Sequence, residues 1–256
     1  MTLWAISDLH LSFSGQKPMD VFGPEWQNHV ARIEAAWREL VGPEDVVCLP
    51  GDFSWAMRLS DVGEELRWLG GLPGRKVLVK GNHDYWWESL SKVRRALPEG
   101  VYAIQNDAVV VEGIAFAGAR GWVDPSLSFG GLCAGPGEDE GARLFGIRGE
   151  EEDERIYRRE LDRLENSLRA LPKECRLRVA LLHFPPTSPA LESTPVTELL
   201  ERHGVDVVVF GHLHGPCAGY RNPYGRRNGV QYFLASADFV GFSPVLVADL
   251  RAPSQR

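Results

Sequence analysis

Five short polar signatures follow one another along this chain, each closing an apolar run. They are Asp8-Leu9-His10, Gly51-Asp52, Gly81-Asn82-His83-Asp84, His183 and Gly211-His212-Leu213-His214, and they hold five of the seven histidines. The runs before them are Leu3-Trp4-Ala5-Ile6, Val46-Val47-Cys48-Leu49, Val77-Leu78-Val79, Val179-Ala180-Leu181-Leu182 and Val205 to Phe210. Short β-branched and aliphatic runs of this kind read as buried strands. In open α/β sheets ligands gather at the carboxyl ends of strands, so Asp, Asn and His at five strand ends can converge on one point. Carboxylate, amide oxygen and imidazole together suit two borderline divalent cations. One signature alone says little, since Gly-Asn and Gly-Asp are ordinary turn dipeptides and a strand-end His is commonly a hydrogen-bonded structural residue. The ordered set carries the weight, because every member is a usable ligand or proton donor.

Strand and helix alternate along the rest of the chain. Strands are expected over 3–7, 46–49, 75–80, 101–104, 108–112, 114–119, 178–182, 205–210, 232–235 and 245–248. Helical periodicity of apolar residues predicts helices over 25–41, 61–69, 88–97, 151–171 and 196–203. The acidic start Glu150 to Glu154 suits the positive N-terminus of its helix and needs no metal or partner. The stretch from 124 to 149 is glycine-rich and acidic, without clean periodicity, and is expected to be an irregular loop, either a lid over the site or a mobile surface segment. Residues 1–250 are expected to form one domain, with 251–256 a frayed tail.

At 256 residues and 44% apolar content the chain can bury a large core. A formal charge of −7 disfavours a sequence-blind grip on a nucleic-acid backbone but not a small phosphate substrate, because bound metals supply local positive charge. No apolar stretch reaches membrane-spanning length. Met1 leads almost at once into the first strand, so no signal peptide is expected. Cys48, Cys133, Cys175 and Cys217 form no C-x-x-C pair and read as reduced thiols of a cytoplasmic protein. Oligomeric state is not legible.

The five blocks, D-x-H, G-D, G-N-H-D, H and G-H-x-H, resemble the calcineurin-like metallophosphoesterase family, and all are intact between Asp8 and His214. The words Ser7-Asp8-Leu9-His10-Leu11 and Gly81 to Trp87 are most similar to a bacterial branch of predicted phosphohydrolases. The resemblance implies an α/β fold of four layers, a two-sheet β-sandwich flanked by helices. It implies one metal on Asp8, His10, Asp52 and His214, and another on Asp52, Asn82, His183 and His212, with Asp52 bridging. His83 then faces the substrate as proton donor or charge stabiliser, leaning on Asp84. The activity implied is dinuclear metal-dependent hydrolysis of a phosphoester by in-line attack of a metal-bridging hydroxide, without a covalent enzyme intermediate. Imidazole and oxygen ligands without thiolate favour Mn, with Fe, Zn, Co or Ni as alternatives.

Substrate class is narrowed only by departures. Phe53 to Met57 separate Asp52 from Arg58, unlike the protein phosphatases of the family. His83 stands where the lipid-A pathway hydrolases place Arg, and the recombination nucleases add a capping domain, whereas this sequence ends soon after its last expected strand. Leu182-His183-Phe184-Pro185-Pro186 resembles the H-x-P-P stretch of small phosphodiesterases, which points to a small phosphodiester or phosphomonoester, such as a nucleotide. The competing class is a non-catalytic scaffold binding a partner protein, which would usually have lost ligands. Trp55, Trp86, Trp87 and Trp122 follow strand ends, and at least one is expected to touch substrate. Trp4, Trp37 and Trp68 read as core, and His29 and His203 as structural residues on helices away from the strand ends.

Overall fold

The structure is a computed structural model that describes residues 1–15, 17–124, 126–127, 129, 150–215 and 222–251. Its first sheet has five strands in the order β11-β1-β2-β3-β4: β1 Thr2–Ala5, β2 Val46–Leu49, β3 Arg75–Leu78, β4 Val101–Ala103 and β11 Val245–Asp249. β1 to β4 run parallel, and β11 lies antiparallel on β1. The second sheet has six strands in the order β5-β6-β7-β8-β10-β9: β5 Ala108–Val111, β6 Ile114–Ala119, β7 Leu177–Leu182, β8 Val207–Phe210, β9 Arg226–Arg227 and β10 Val230–Leu234. Its four inner strands are parallel and its two edge strands antiparallel.

Alternation along each strand builds two cores from one sequence run. On β2, Val46 and Cys48 face the other sheet; with Leu3 and Val77 of neighbouring strands they share a core with Phe116, Val179, Leu181 and Val209 of that sheet. Val47 and Leu49 face outward onto helices α1 His29–Leu40, α2 Gly63–Gly70 and α3 Leu90–Ala96, through Ile33, Trp37, Leu66, Leu69 and Val93. The outer face of the second sheet packs in the same way on α4 Glu150–Arg169 and α5 Pro195–Arg202, through Leu164, Leu168, Leu199 and Leu200. The result is the expected four-layer α/β arrangement, two sheets between two helical layers. α5 starts where the chain dictates: Pro195 occupies its first position, and the Thr194 hydroxyl accepts from the Thr197 N–H at 3.1 Å.

Several boundaries move, each for a local reason. The helix expected over 25–41 is split. A 3₁₀ turn covers Pro24–Trp26, Asn28 takes a left-handed φ of 53°, and only then does α1 begin. Val205 closes α5 by donating to Leu200 O, so β8 starts at Val207. The two-residue β9 carries no apolar signal and was not legible in the sequence. Trp37 is fully buried as expected, but Trp4 and Trp68 are only half-buried, since their indole N–H groups reach Asp45 (3.2 Å) and Glu34 (2.9 Å). Of the stretch expected to be a lid or loop, Leu127 and Phe129 are buried in the second helical layer's core; its remainder lies mostly outside the described residues, as do Cys133, Cys217 and residues 252–256. Among the described residues no helix is long and apolar enough to cross a membrane.

Candidate metal centre

The carboxyl ends of β1, β2 and β3 in one sheet face those of β7 and β8 in the other. Each end then turns sharply. Asp8, His10, Asp52 and His212 all adopt positive φ, between 48° and 71°, which folds their side chains back over the strand ends. Glycine is needed where two such turns touch: a Cβ on Gly81 would collide with the Asp52 side chain and backbone, and one on Gly211 with Asp8 and Ser7.

Two clusters result. In one, Asp8, His10 and His214 offer donor atoms within 4.8 Å of one another, with His10 Nε2 3.4 Å from His214 Nε2 and Asp8 Oδ1 3.7 Å from His214 Nε2. In the other, His212 Nδ1 lies 3.1 Å from Asn82 Oδ1 and 3.3 Å from His183 Nε2, which itself touches Asn82 Oδ1. Asp52 stands between them: its Oδ2 is 3.8 Å from His10 Nε2 and 3.5 Å from His183 Nε2. The other Asp52 oxygen is held at 2.8 Å by the His83 backbone N–H. Asp8 also reaches across, with Oδ1 4.0 Å from His183 Nδ1, and its carboxylate accepts the His212 N–H at 3.0–3.1 Å. Imidazole nitrogens, carboxylate oxygens and one amide oxygen crowd together here with few protons to share. That donor set fits two borderline divalent cations.

Aromatic rings hold the imidazoles in place. Trp55 stacks on His10 (centroids 4.8 Å, 25°) and packs on His83 at 4.5 Å. Trp26 lies 5.9 Å from His214, and Phe184 4.1 Å from His212. His183 places Nδ1 3.1 Å from Pro50 O, which leaves Nε2 for the cluster.

A family model described as calcineurin-like phosphoesterase matches residues 1–216. The chain belongs to the calcineurin-like phosphoesterase family. The Gene 66 protein of Mycobacterium phage D29 is 40% identical to this chain over 83 residues, 32% of this chain and 40% of the phage protein. Among solved structures, a Thermus thermophilus protein matches with a TM-score of 0.50 at 14% identity, covering 96% of this chain and 97% of that one, a likeness of fold alone. Phosphopantetheinyl hydrolase (PptH) of Mycobacterium tuberculosis overlaps 99% of this chain and 98% of its own, with a TM-score of 0.46 and 19% identity.

Burial and neighbours set the charges of the polar cluster. Burial raises Asp8 to about 6 against the pull of His214, and burial with Asp8 and Asp84 nearby pushes Asp52 well above the usual carboxylate range. Burial drives His10 and His183 well below 6.5 and His212 to about 3, so these rings are neutral and can donate lone pairs. His214 differs. Burial alone would lower it, but the Asp238 carboxylate, 3.1 Å from Nδ1, and Asp8 and Asp52 carry it up to about 9.

All seven candidate ligands meet here, and His83 lies beside them, its ring 5.7 Å from His10. The expectation that His83 leans on Asp84 is corrected. The buried Asp84 carboxylate instead accepts the N–H groups of Phe53 (2.9 Å), Ser54 (3.2 Å) and Gly81 (2.8 Å) and the Trp86 indole (2.8 Å). It ties the Gly51-Asp52 turn to the Gly81-Asn82 turn, while the His83 Nδ1 has no hydrogen-bond partner among the described residues. His29 begins α1 and belongs to neither cluster, as expected, but it lies nearer the site than its place on a helix suggested, behind Trp26 (5.3 Å). Of the tryptophans expected near the site, Trp86 and Trp87 are buried beneath the loops, whereas Trp55 borders it against His10 and His83. Asp238, Trp26 and Phe184 were not singled out. Nothing in the sequence pairs Asp238 with His214, although it closely follows the end of β10.

Proposed function

We propose that this protein hydrolyses a small phosphodiester or phosphomonoester at a centre of two divalent cations, held by Asp8, His10, Asp52 and His214 on one side and by Asp52, Asn82, His183 and His212 on the other. The observation that carries this reading is the position of Asp52 Oδ2 between the two donor clusters. When bound, the cations supply Lewis-acid charge to the phosphoryl oxygens and lower the pKa of an attacking water. The chain supplies the rest. Asp52 and Asp8 offset cationic charge, and the backbone N–H groups of His83 and His212 fix their orientation. Neutral Asn82 adds a ligand without adding negative charge. His83 stands outside both clusters. Burial, His214 and Lys17 lower it to about 4, so it acts as a neutral imidazole that hydrogen-bonds the departing oxygen as charge builds there. Trp55 bounds the leaving-group side, with Lys17 Nζ 4.4 Å above its ring.

Manganese is the proposed cation for activity, because the donors mix imidazole with oxygen and lack thiolate. The free thiols of Cys48 and Cys175 support a reducing, cytoplasmic compartment. The deciding experiment compares bis-p-nitrophenyl phosphate with p-nitrophenyl phosphate on protein stripped by chelator and reloaded with Mn²⁺, Zn²⁺ or Mg²⁺. Turnover of either ester that depends on Mn²⁺ and vanishes in Asp52→Ala supports the reading and separates diesterase from monoesterase. No turnover of either ester with any cation sinks it in favour of a binding scaffold.

A further inference from the structure

Lys17 belongs to neither donor cluster but stands at their rim. It lies on the segment between β1 and α1, where its backbone N–H donates to Ser12 Oγ at 3.2 Å. Its ammonium sits 4.4 Å from the centre of the Trp55 ring. Two residues on, the sulfur of the buried Met19 accepts the Trp55 indole N–H at 3.1 Å. The segment therefore grips one indole at two points, with a cation over the ring and a sulfur at its nitrogen. The same indole stacks on His10 at 4.8 Å and packs on His83 at 4.5 Å. One ring thus separates the ammonium from the His83 imidazole. Lys17 is exposed, and among the described residues its ammonium has no carboxylate partner, so its three protons are available to a ligand. The rings of Trp55 and Tyr85 beside His83 bring no charge of their own.

We propose that Lys17 determines specificity by binding a second phosphate just beyond the departing oxygen, so that the favoured substrates are those whose leaving group begins with a phosphate. The proposal rests on the reading of the metal centre as a phosphoesterase site with His83 on its leaving-group side. Cations held by the two clusters would offset the charge of the transferred phosphoryl group. A further anion on the leaving group then needs a positive charge on its own side. An ammonium on a flexible stem suits a phosphate met at the rim, and its seat on Trp55 reduces the freedom lost when that phosphate arrives. In the reaction, the oxygen of water bonds to the transferred phosphorus. The bond from that phosphorus to the departing oxygen breaks, and its electron pair leaves with the second phosphate. The two protons of the water end on the phosphate products or in solvent.

Isothermal titration with two non-hydrolysable probes tests this, using protein held in excess Mn²⁺. Methylphosphonate offers one phosphoryl group, and methylenediphosphonate adds the second anion. Lys17→Gln should weaken methylenediphosphonate about tenfold more than it weakens methylphosphonate, the usual scale for a lost charge-assisted hydrogen bond. Lys17→Arg, which keeps the charge, should restore most of that loss. The position is exposed, so both variants should fold. Equal weakening of the two probes in Lys17→Gln, no weakening of either, or the same loss in Lys17→Arg would overturn the proposal and leave the metal centre as read. A parent protein that binds neither probe would sink the reading of the centre, and this proposal with it.

Discussion

At the scale of the residue, the centre is built from side chains whose backbones are held where they would not rest alone. Non-glycine residues at positive φ cost about 1 kcal/mol or more each, least for Asp, Asn and His. Asp8, His10, Asp52 and His212 bear that cost together, and the surrounding hydrogen bonds sustain it. His83 and Asp84 are neighbours with separate tasks, and mutation should separate them. His83→Ala should keep both cations and lower kcat by roughly 10²–10⁴, with a smaller loss for a p-nitrophenolate leaving group than for an alkoxide. Asp84→Asn should instead lose stability and cation affinity, because an amide turns a donor toward one of the N–H groups that the carboxylate now accepts; the cost is about 1–3 kcal/mol in chemical unfolding. Equal metal content and stability in Asp84→Asn and the parent would show that the carboxylate does not organise these turns.

Asp238 makes a further residue-scale prediction. It raises His214 to about 9, so below that pH an incoming cation must displace the imidazole's extra proton. Cation affinity should therefore fall as pH drops from 9 toward 6, by up to about tenfold per unit for a single displaced proton. Asp238→Asn should shift the onset of that fall to lower pH, since the imidazole is then less basic, and should weaken cation binding by roughly 10–100-fold at pH 9, since the ring loses its anchor. Metal titrations across this range in both proteins check both effects.

At the scale of the element, β3 carries the Gly81-Asn82 turn at one end and a buried cation in its body. Lys76 is 2% exposed and points its ammonium at Leu72 O, and burial brings its pKa from 10.5 down to about 8. The unfolded chain therefore binds its proton more tightly than the fold does. The resulting penalty is fully present below pH 8 and is relieved as pH rises from 8 toward 10.5. Lys76→Met, apolar and of similar length, should stabilise the protein by about 1–2 kcal/mol at pH 7 and flatten the rise in stability between pH 8 and 10.5. A lower melting temperature for Lys76→Met at pH 7 would show instead that the bond to Leu72 O outweighs the burial cost.

At the scale of the whole molecule, the candidate ligands are split between the sheets. Asp8, His10, Asp52 and Asn82 come from the five-stranded sheet, and His183, His212 and His214 from the six-stranded one. Cations bound by both would join the sheets at one end, beyond the apolar contact of Val77, Val79, Phe116 and Leu181. A ligand present at a hundred times its dissociation constant stabilises the native state by about 2.7 kcal/mol, which is roughly 5–11 °C in melting temperature for a domain of this size. Chelation should lower the melting temperature by about that much, and Mn²⁺ should restore it. A melting temperature indifferent to chelator would argue against a cation shared between the sheets.

The sequence by itself determined which residues could serve. Apolar runs ending in Asp, Asn or His are local patterns, and local pattern is enough to place strands and the polar groups at their ends, because the period of burial and the chemistry of turns act over a few residues. Leu49, Leu182 and Phe210 end their strands within a few residues of Asp52, His183 and His212, and this was legible. The tertiary structure alone decided who touches whom. Asp84 adjoins His83 in the chain, but strand-end turns bring Phe53, Ser54 and Gly81 nearer to its carboxylate. His214 and Asp238 are separated by β9 and β10, and Trp26 and Phe184 reach the imidazoles from different layers of the molecule. Such pairings depend on the register of two sheets and the packing between them, and no local pattern in the chain encodes the distance between one strand end and another.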